Sequence, residues 1–254
     1  MMKVSFSVLI RTLNEADRLG RALDAVSAFG QEIVVIDSGS TDGTQALAIA
    51  TGARVIEHRW EGFGPQRSFG ESACTNDWIF YIDADEVPTP ALIEEVKELF
   101  AKGEPPHVAY EVRNTMVLPG FSKPHWFADV RKVTRLTNRN YARVTSDPSW
   151  DTVAIDAGKS LGALKNRQCH YCFRNWSHAI NKIGYTSSLA SETQKKKPLL
   201  SLLIRLIMEL PLEFLKFYLV RLFIFGGWRG FAFSVVQAFA RFARILKMVE
   251  KNVS

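Results

Sequence analysis

Apolar runs and helical spacings alternate along the first hundred residues. Residues 4–10 read as a buried strand, and after Asn14-Glu15-Ala16 the apolar positions Leu19, Ala22, Leu23 and Val26 recur every three to four residues, which predicts a helix. A second, largely apolar run over 31–37 predicts another strand. A helix between two such strands is a βαβ unit, and its right-handed crossover makes the sheet parallel. The alternation continues with a helix over 45–50, a strand over 54–58, a helix that takes in Arg67 and runs through Ser72 and Ala73, and the apolar run Trp78-Ile79-Phe80-Tyr81-Ile82. Thr89-Pro90 followed by Leu92-Ile93-Glu94-Glu95-Val96 opens a further helix. Residues 107–145 change to strand-like stretches over 108–112 and 130–136, with Asn138-Arg139-Asn140 as a turn.

From Lys195-Lys196-Lys197-Pro198 onward the chain is rich in Leu, Ile and Phe with spaced cations. Phe214, Phe217, Leu222 and Phe225 predict one apolar helical stripe. After Gly226-Gly227, Phe239, Phe242, Leu246 and Val249 predict a second, with Arg241, Arg244, Lys247 and Lys251 towards another face. The longest uncharged run, residues 230–240, has eleven residues, far short of the roughly 20 needed to cross a bilayer. Charge sharpens this boundary: residues 195–254 hold eleven Lys/Arg against three Glu, while the rest of the chain holds 21 against 23 Asp/Glu. A basic segment packed with large apolar residues suits an anionic membrane surface better than nucleic acid. Hydrophobic residues make up 47% of the chain, ample for a folded core. Three cysteines, 74, 169 and 172, make no disulfide framework and Cys169-His170-Tyr171-Cys172 has no second pair at zinc spacing. A reducing cytosol fits, and the short first apolar run lacks the features of an export signal.

The chemistry is expected where the strands end in acids. Residues 78–82 run into Asp83-Ala84-Asp85-Glu86 at the carboxyl end of a buried strand, where open α/β sheets place their ligands. Alternation points Asp83 and Asp85 to one side, and two hard oxygen ligands suit Mg²⁺ or Mn²⁺ with positions left for phosphate oxygens. Asp37 ends its strand in the same way and is followed by Ser38-Gly39-Ser40-Thr41-Asp42-Gly43-Thr44, a polar turn whose N–H groups and hydroxyls can approach a ligand, with the carboxylate accepting from a ribose or base. A plain strand-to-helix turn needs the same residues. Arg67, early on its helix, is placed to pair with a pyrophosphate. No G-x-G-x-x-G opens a helix and no phosphate-loop motif occurs, which removes the dehydrogenase and P-loop classes.

Taken in order, Ile10-Arg11-Thr12-Leu13-Asn14-Glu15, Val35-Ile36-Asp37-Ser38-Gly39-Ser40-Thr41-Asp42-Gly43-Thr44, Gly62-Phe63-Gly64-Pro65-Gln66-Arg67 and Asp77-Trp78-Ile79-Phe80-Tyr81-Ile82-Asp83-Ala84-Asp85-Glu86 resemble the family-2 glycosyltransferases. The similarity is strongest to the branch of lipopolysaccharide core β-glucosyltransferases. It implies the GT-A fold, a Rossmann-like mixed α/β sheet, in a catalytic domain over 1–194. That domain has a nucleotide-sugar half over 1–105 and an acceptor half over 106–194, with basic amphipathic membrane-associating helices over 195–254. It also implies that Thr12, Asn14 and Glu15 line the base and ribose pocket with Asp37 and Ser38, that Arg67 faces the diphosphate, and that Asp83, Ala84 and Asp85 form the metal motif. His170 and Arg174 fall where the family closes a histidine or arginine over the metal or diphosphate. The branch carries a His-Glu pair with Glu as base, whereas this chain has Trp150-Asp151, so Asp151 stands in the matching place, with Asp147 and Asp156 as alternatives. Trp126 and Trp150 are candidates for stacking on sugars.

The implied activity is inverting transfer from a nucleotide sugar, most naturally a UDP-sugar, to lipopolysaccharide core or another lipid-linked glycan, with Mg²⁺ or Mn²⁺, on the cytoplasmic face of an inner membrane. Two other readings stay open: a polyprenyl-phosphate glycosyltransferase, which needs no strong base, and a non-catalytic membrane-bound scaffold.

Overall fold

A computed structural model describes residues 5–29, 32–128, 130–192 and 197–253. Val4, Gln31, Lys195 and Lys196, which the sequence reading used, lie outside them. The chain packs as two compact units, one of residues 1–115 and 130–170, the other of 116–129 and 171–254. The change of composition at 194/195 falls inside the second unit.

In the first unit, β1 (Phe6–Thr12), β2 (Glu32–Asp37), β3 (Arg54–Glu57) and β4 (Trp78–Asp83) alternate with α1 (Ala16–Ser27), α2 (Thr44–Ala50) and α3 (Phe63–Ala73). β1 pairs in parallel with both β2 and β4, and β2 with β3. Then come β5 (Glu86–Pro88), α4 (Pro90–Ala101), β6 (Ala109–Met116), β7 (Val130–Asn138), the short hairpin β8 (Ala142–Val144) and β9 (Val153–Ile155), and β10 (Leu161–His170). The main sheet has the order β3-β2-β1-β4-β7-β6-β10-β5, and β7 joins β4 antiparallel, so the sheet is mixed.

Burial explains the parallel half. Five successive residues of β4 are buried, as a strand covered on both faces requires. Alternation splits β1 between two cores: Val8 and Ile10 pack with Leu19, Leu23 and Phe80, and Leu9 packs with Val34, Ile36 and Ile79. Each such side chain stabilises the fold by roughly 1.5–3 kcal/mol. The spacing that predicts α1 is met, with Leu19, Ala22, Leu23 and Val26 buried. Thr89 caps α4, its Oγ1 accepting from Leu92 N at 3.3 Å with Pro90 at the first helical position.

The sequence reading did not anticipate β10, which buries only Gly162, Leu164 and Gln168. Its state is set by pairing with neighbours rather than by an apolar alternation of its own. β8 and β9, three residues each, are too short to carry a period.

The second unit holds α5 (Trp176–Glu192), α6 (Leu199–Leu215), a π-helical turn (Lys216–Val220), a 3₁₀ turn (Phe223–Gly226) and α7 (Gly227–Val253). Leu118, Phe127, Phe223 and Phe233 form its core, with Phe173, Trp176 and Phe217 against them. The stripe expected of Phe214, Phe217, Leu222 and Phe225 is broken: Leu222 takes φ +61°, which ends the helical path, and Phe225 is exposed while Phe217 packs inward. On α7 the buried face is Gly230, Phe233, Ser234, Ala238, Ile245 and Met248, which leaves Phe239 and Leu246 exposed.

Candidate active site

Strand register assembles the site. Thr12 lies beside Asp37 and Arg11 beside Asp83, so the carboxyl end of β1 sits between the two acids that end β2 and β4. Asp37 is buried, and its carboxylate accepts from Thr12 Oγ1 at 2.7 Å, Ser40 N at 2.7 Å and Oγ at 2.6 Å, Gly39 N at 3.1 Å and Gln45 Nε2 at 2.7 Å. Burial alone would raise its pKa, but these donors favour the ionised form and hold it below the ordinary value.

The polar turn after Asp37 is also structural glue. Ser40 Oγ accepts from Asn14 N, Thr44 Oγ1 from Glu15 N and Asp42 Oδ2 from Ala16 N, so this turn supplies the partners that the start of α1 lacks on its own. Asn14 takes φ +53° and its Oδ1 accepts from Thr41 N at 2.9 Å. Ser38 Oγ accepts from Gln66 Nε2 at 3.0 Å. Thr12, Asn14, Glu15, Asp37 and Ser38 are thereby drawn to one edge of the sheet.

Three guanidinium groups converge on Asp83. Arg11 Nε lies 2.9 Å and Arg67 Nη2 3.1 Å from Oδ1, and Arg135 Nη2 is 3.2 Å from Oδ2. Burial works against ionisation of Asp83, but Arg11, Arg67 and Arg135 together outweigh it and hold the carboxyl well below its usual range. Arg67 is buried, and desolvation followed by repulsion from Arg135 lowers its pKa, though a guanidinium remains charged. Asp151 Oδ2 faces two of the same groups, 3.1 Å from Arg11 Nη1 and 3.1 Å from Arg67 Nε. At ion-pair distance the angles still miss hydrogen-bond geometry. Arg11 Nη1, Asp151 Oδ2 and Arg135 Nε are buried atoms with no hydrogen-bond partner. Buried guanidinium nitrogens whose hydrogen-bonding capacity is unfilled suit an anion with several oxygens.

The loop that carries Asp151 is locked to α3. Phe63 N donates to Pro148 O at 2.9 Å and Gly64 N to Asp147 O at 3.1 Å, which satisfies the orphan N–H groups of the first turn. The approach demands glycine: a Cβ on Gly64 would lie 2.1 Å from the Thr145 carbonyl oxygen, and one on Gly62 2.5 Å from Pro148 Cα.

Asp83 and Asp85 pair with different arginines, although both interact with His170. β4 ends at Asp83, and Ala84-Asp85 form a turn, so the period of two stops there. Asp85 Oδ2 lies 3.5 Å from His170 Nε2 and 3.4 Å from Arg18 Nη1, and Arg18 also pairs with Glu15. Burial opposes the charge on both partners, but their mutual hydrogen bond and attraction prevail: Asp85 is lowered and His170 raised from their ordinary values. Among the described residues no three His, Cys, Asp or Glu side chains are gathered around a metal-sized centre. The chemistry of the donors still fits a divalent cation, since carboxylates are the ordinary ligands of Mg²⁺ and Mn²⁺, while the imidazole is a softer donor that suits Mn²⁺ better than Mg²⁺.

Beneath the arginines, the ring of Tyr81 carries Arg67, whose guanidinium carbon is 5.3 Å from the centroid. Tyr81 Oη donates to Glu71, which also accepts from Val144 N at 3.2 Å. Burial raises the Glu71 pKa above the ordinary carboxylate value. A raised pKa means that stability is fullest below the unfolded pKa of about 4.3 and is lost as pH rises through the folded value. Glu71→Gln keeps an acceptor and removes the titration. Its urea midpoint at neutral pH is therefore expected to equal or exceed that of wild type, with a flatter pH dependence; a fall of more than about 1 kcal/mol would overturn this account.

The remaining candidates divide clearly. Trp150 is exposed in the first unit. Asp147 Oδ1 caps its own turn through Ser149 N, and Asp156 is exposed, so of the three acids only Asp151 meets the arginines. Arg174 and Trp126 belong to the second unit, where Arg174 N donates to His178 Nδ1 and Trp126 is exposed. Sequence reasoning assigned no role to Arg11, Arg18, Glu86 or Arg135. Glu86 is buried and takes Arg135, Asn114 Nδ2 at 2.6 Å and Asp83 N at 3.0 Å. The signal for Arg11 was its place inside an apolar strand, where an unpaired charge is costly; Arg135 lies in a more polar stretch and had no such flag.

The family model for glycosyl transferase family 2 matches residues 7–159. An uncharacterized glycosyltransferase of Rickettsia felis is 35% identical over 96% of this chain and 89% of its own length. The lipopolysaccharide core biosynthesis glycosyltransferase LpsC of Rhizobium meliloti is 29% identical over 98% of this chain and 94% of its own. A solved structure of glucosyl-3-phosphoglycerate synthase from Mycobacterium tuberculosis, with Mn²⁺, UDP-glucose and phosphoglyceric acid, aligns at 27% identity over 44% of each chain with a TM-score of 0.39. The mixed α/β sheet is the GT-A arrangement that the motifs imply, and the chain belongs to glycosyl transferase family 2, the enzymes that transfer sugars from nucleotide-sugar donors.

Proposed function

We propose that the protein transfers a sugar with inversion from a UDP-sugar to a hydroxyl of lipopolysaccharide core or a similar lipid-linked glycan, on the cytoplasmic face of an inner membrane. The observation that carries the reading is the cluster of Arg11, Arg67 and Arg135 at the strand ends, two of whose buried nitrogens make no well-aligned hydrogen bond. A diphosphate supplies acceptors for them, and its negative charge grows as the glycosidic bond breaks, so fixed guanidinium groups stabilise the transition state. When the diphosphate takes up Arg11 and Arg67, Asp151 loses its two partners and becomes the carboxylate that accepts the acceptor's hydroxyl proton. Thr12, Asn14, Glu15, Asp37 and Ser38 line the side expected to hold base and ribose. His170, Asp85 and Asp83 would hold Mg²⁺ or Mn²⁺, which when bound supplies Lewis-acid stabilisation of the leaving phosphate. Likeness to LpsC over nearly the whole chain supports the acceptor class. The contact of Asp151 with two arginines also favours a second reading, a polyprenyl-phosphate acceptor, whose phosphate attacks without a strong base.

The test is release of nucleoside diphosphate from a panel of nucleotide sugars with extracted lipid acceptors, with and without Mn²⁺ or Mg²⁺. We expect release from one donor, abolished by chelation and reduced at least tenfold in Asp85→Ala. Equal release with and without metal would remove the cation from the mechanism; no release and no nucleotide binding would favour a scaffold.

A further inference from the structure

The second unit turns the usual polarity of a helix inside out. On α6, Leu200, Ile204, Ile207 and Leu212 are 71%, 57%, 76% and 55% exposed, while Glu209 and Glu213 are each only 8% exposed. A helix on a water-facing surface does the reverse. The buried acids are paired within the helices: Arg205 Nη2 lies 2.9 Å from Glu209, Arg241 Nε 3.1 Å from Glu209 and 3.4 Å from Glu213, and Lys216 Nζ 2.9 Å from Glu213. Lys247 is likewise turned inward, onto Gly184 O and the hydroxyls of Ser187 and Ser188. Of the α7 cations that the sequence places on one face, Arg241 and Lys247 join a polar seam with neighbouring helices, while Lys251 stays exposed.

We propose that α6 lies in one leaflet of an anionic bilayer, aliphatic face towards the acyl chains, and that the Glu209/Glu213 ion pairs are the seam that keeps its charges off that face. Charges beside hydrocarbon are tolerated when paired on the inner side, and this helix shows none on its exposed side. Three observations select lipid as the occupant. The exposed side chains of α6 are almost all apolar, with Ser201 near its start as the one exposed polar side chain, fewer polar groups than a protein interface interleaves. Trp126 and Trp228 are 72% and 63% exposed in the same unit, the residue type that settles at headgroup depth. Residues 195–254 carry eleven cations against three acids, which complements anionic lipid. No described helix is long and apolar enough to cross a membrane, so α6 lies along it.

This deepens the reading of a membrane-borne acceptor, and the two are measured apart. The full chain is floated with phosphatidylcholine vesicles, with and without phosphatidylglycerol, at low and high salt, and nucleoside diphosphate release is assayed on the same samples. We expect flotation with the anionic vesicles that persists at high salt. Ile204→Glu/Ile207→Glu should lower partitioning at least tenfold with the circular dichroism of wild type, while Ile49→Glu, at an exposed position of the first unit, leaves it unchanged. A wild-type chain that stays in the lipid-free fraction, or a double variant that floats as well as wild type, overturns the proposal. So does a double variant that turns a dimer into a monomer without lipid, since a second copy then covers the face. Flotation without release from any donor leaves the proposal standing and removes the catalytic reading.

Discussion

Asp151→Asn is expected to lower turnover by about 10²- to 10⁴-fold, the usual contribution of a positioned general base, while donor affinity holds or improves. The second half of that expectation comes from the geometry. Asp151 Oδ2 lies 3.1 Å from both Arg11 and Arg67, so before donor binding it competes with phosphate for the same two guanidinium groups. Neutralising it removes the competitor and leaves Asp83 to hold both arginines. A merely structural role would move both quantities the other way, because a loosened Arg67 binds diphosphate less well. Single-turnover transfer and a UDP titration, run on the same variant, separate the cases. Asp147→Asn serves as the comparison, since that side chain caps its own turn and should leave turnover within a few-fold of wild type. Retained turnover in Asp151→Asn would eliminate it as the base and leave the phosphate-acceptor reading.

How far the chain was legible depends on the range of the interactions that set each part. The parallel half could be read because the apolar residues of β1, β2, β4 and α1 announce their own state, and because strand ends mark where the acids emerge. Asp37, Asp83 and Asp85 were located in this way, and Arg67 from its place early on α3. What could not be read is pairing between segments far apart in sequence. Arg135 reaches Asp83 and Glu86 only because β7 runs antiparallel beside β4. The three-residue strands that flank the Asp151 loop, and the polar β10 that delivers His170, have no period to read. That Asp85 pairs with Arg18 and His170, and not with the arginines on Asp83, goes with one local fact, that the strand ends before Ala84, which a two-residue alternation cannot foresee. In the second unit, composition located the helices, but the direction of their charges followed from Glu209 and Glu213, whose partners lie up to 32 residues away.

Arg135→Met should cost about 3–5 kcal/mol of stability, the penalty for leaving a buried ion-pair partner uncompensated. Glu86 is fully buried, and Arg135 is the cation that faces it, while Arg135 also touches Asp83. Burial alone would pull the pKa of Arg135 down, but Glu86 and then Asp83 drive it up instead, which marks a guanidinium held by its anions more firmly than water would hold it. Removing that charge leaves the Glu86 carboxylate with Asn114 Nδ2 and Asp83 N as donors and His170, across the strand pair, as a more distant partner. The urea midpoint of Arg135→Met should therefore fall by more than about 1 M. Adding Glu86→Gln, which removes the stranded charge and keeps an acceptor, should recover a large part of the loss, so the two changes together cost less than their sum. Lys97→Met sets the scale at the surface: Lys97 and Glu94 are 40% and 64% exposed, and such a pair contributes at most about 0.5 kcal/mol. If Arg135→Met proved as mild as Lys97→Met, Arg135 would hold Asp83 and Glu86 only as a solvated counter-charge. The order of the arginines around the diphosphate would then have to be fixed by Arg11 and Arg67 alone.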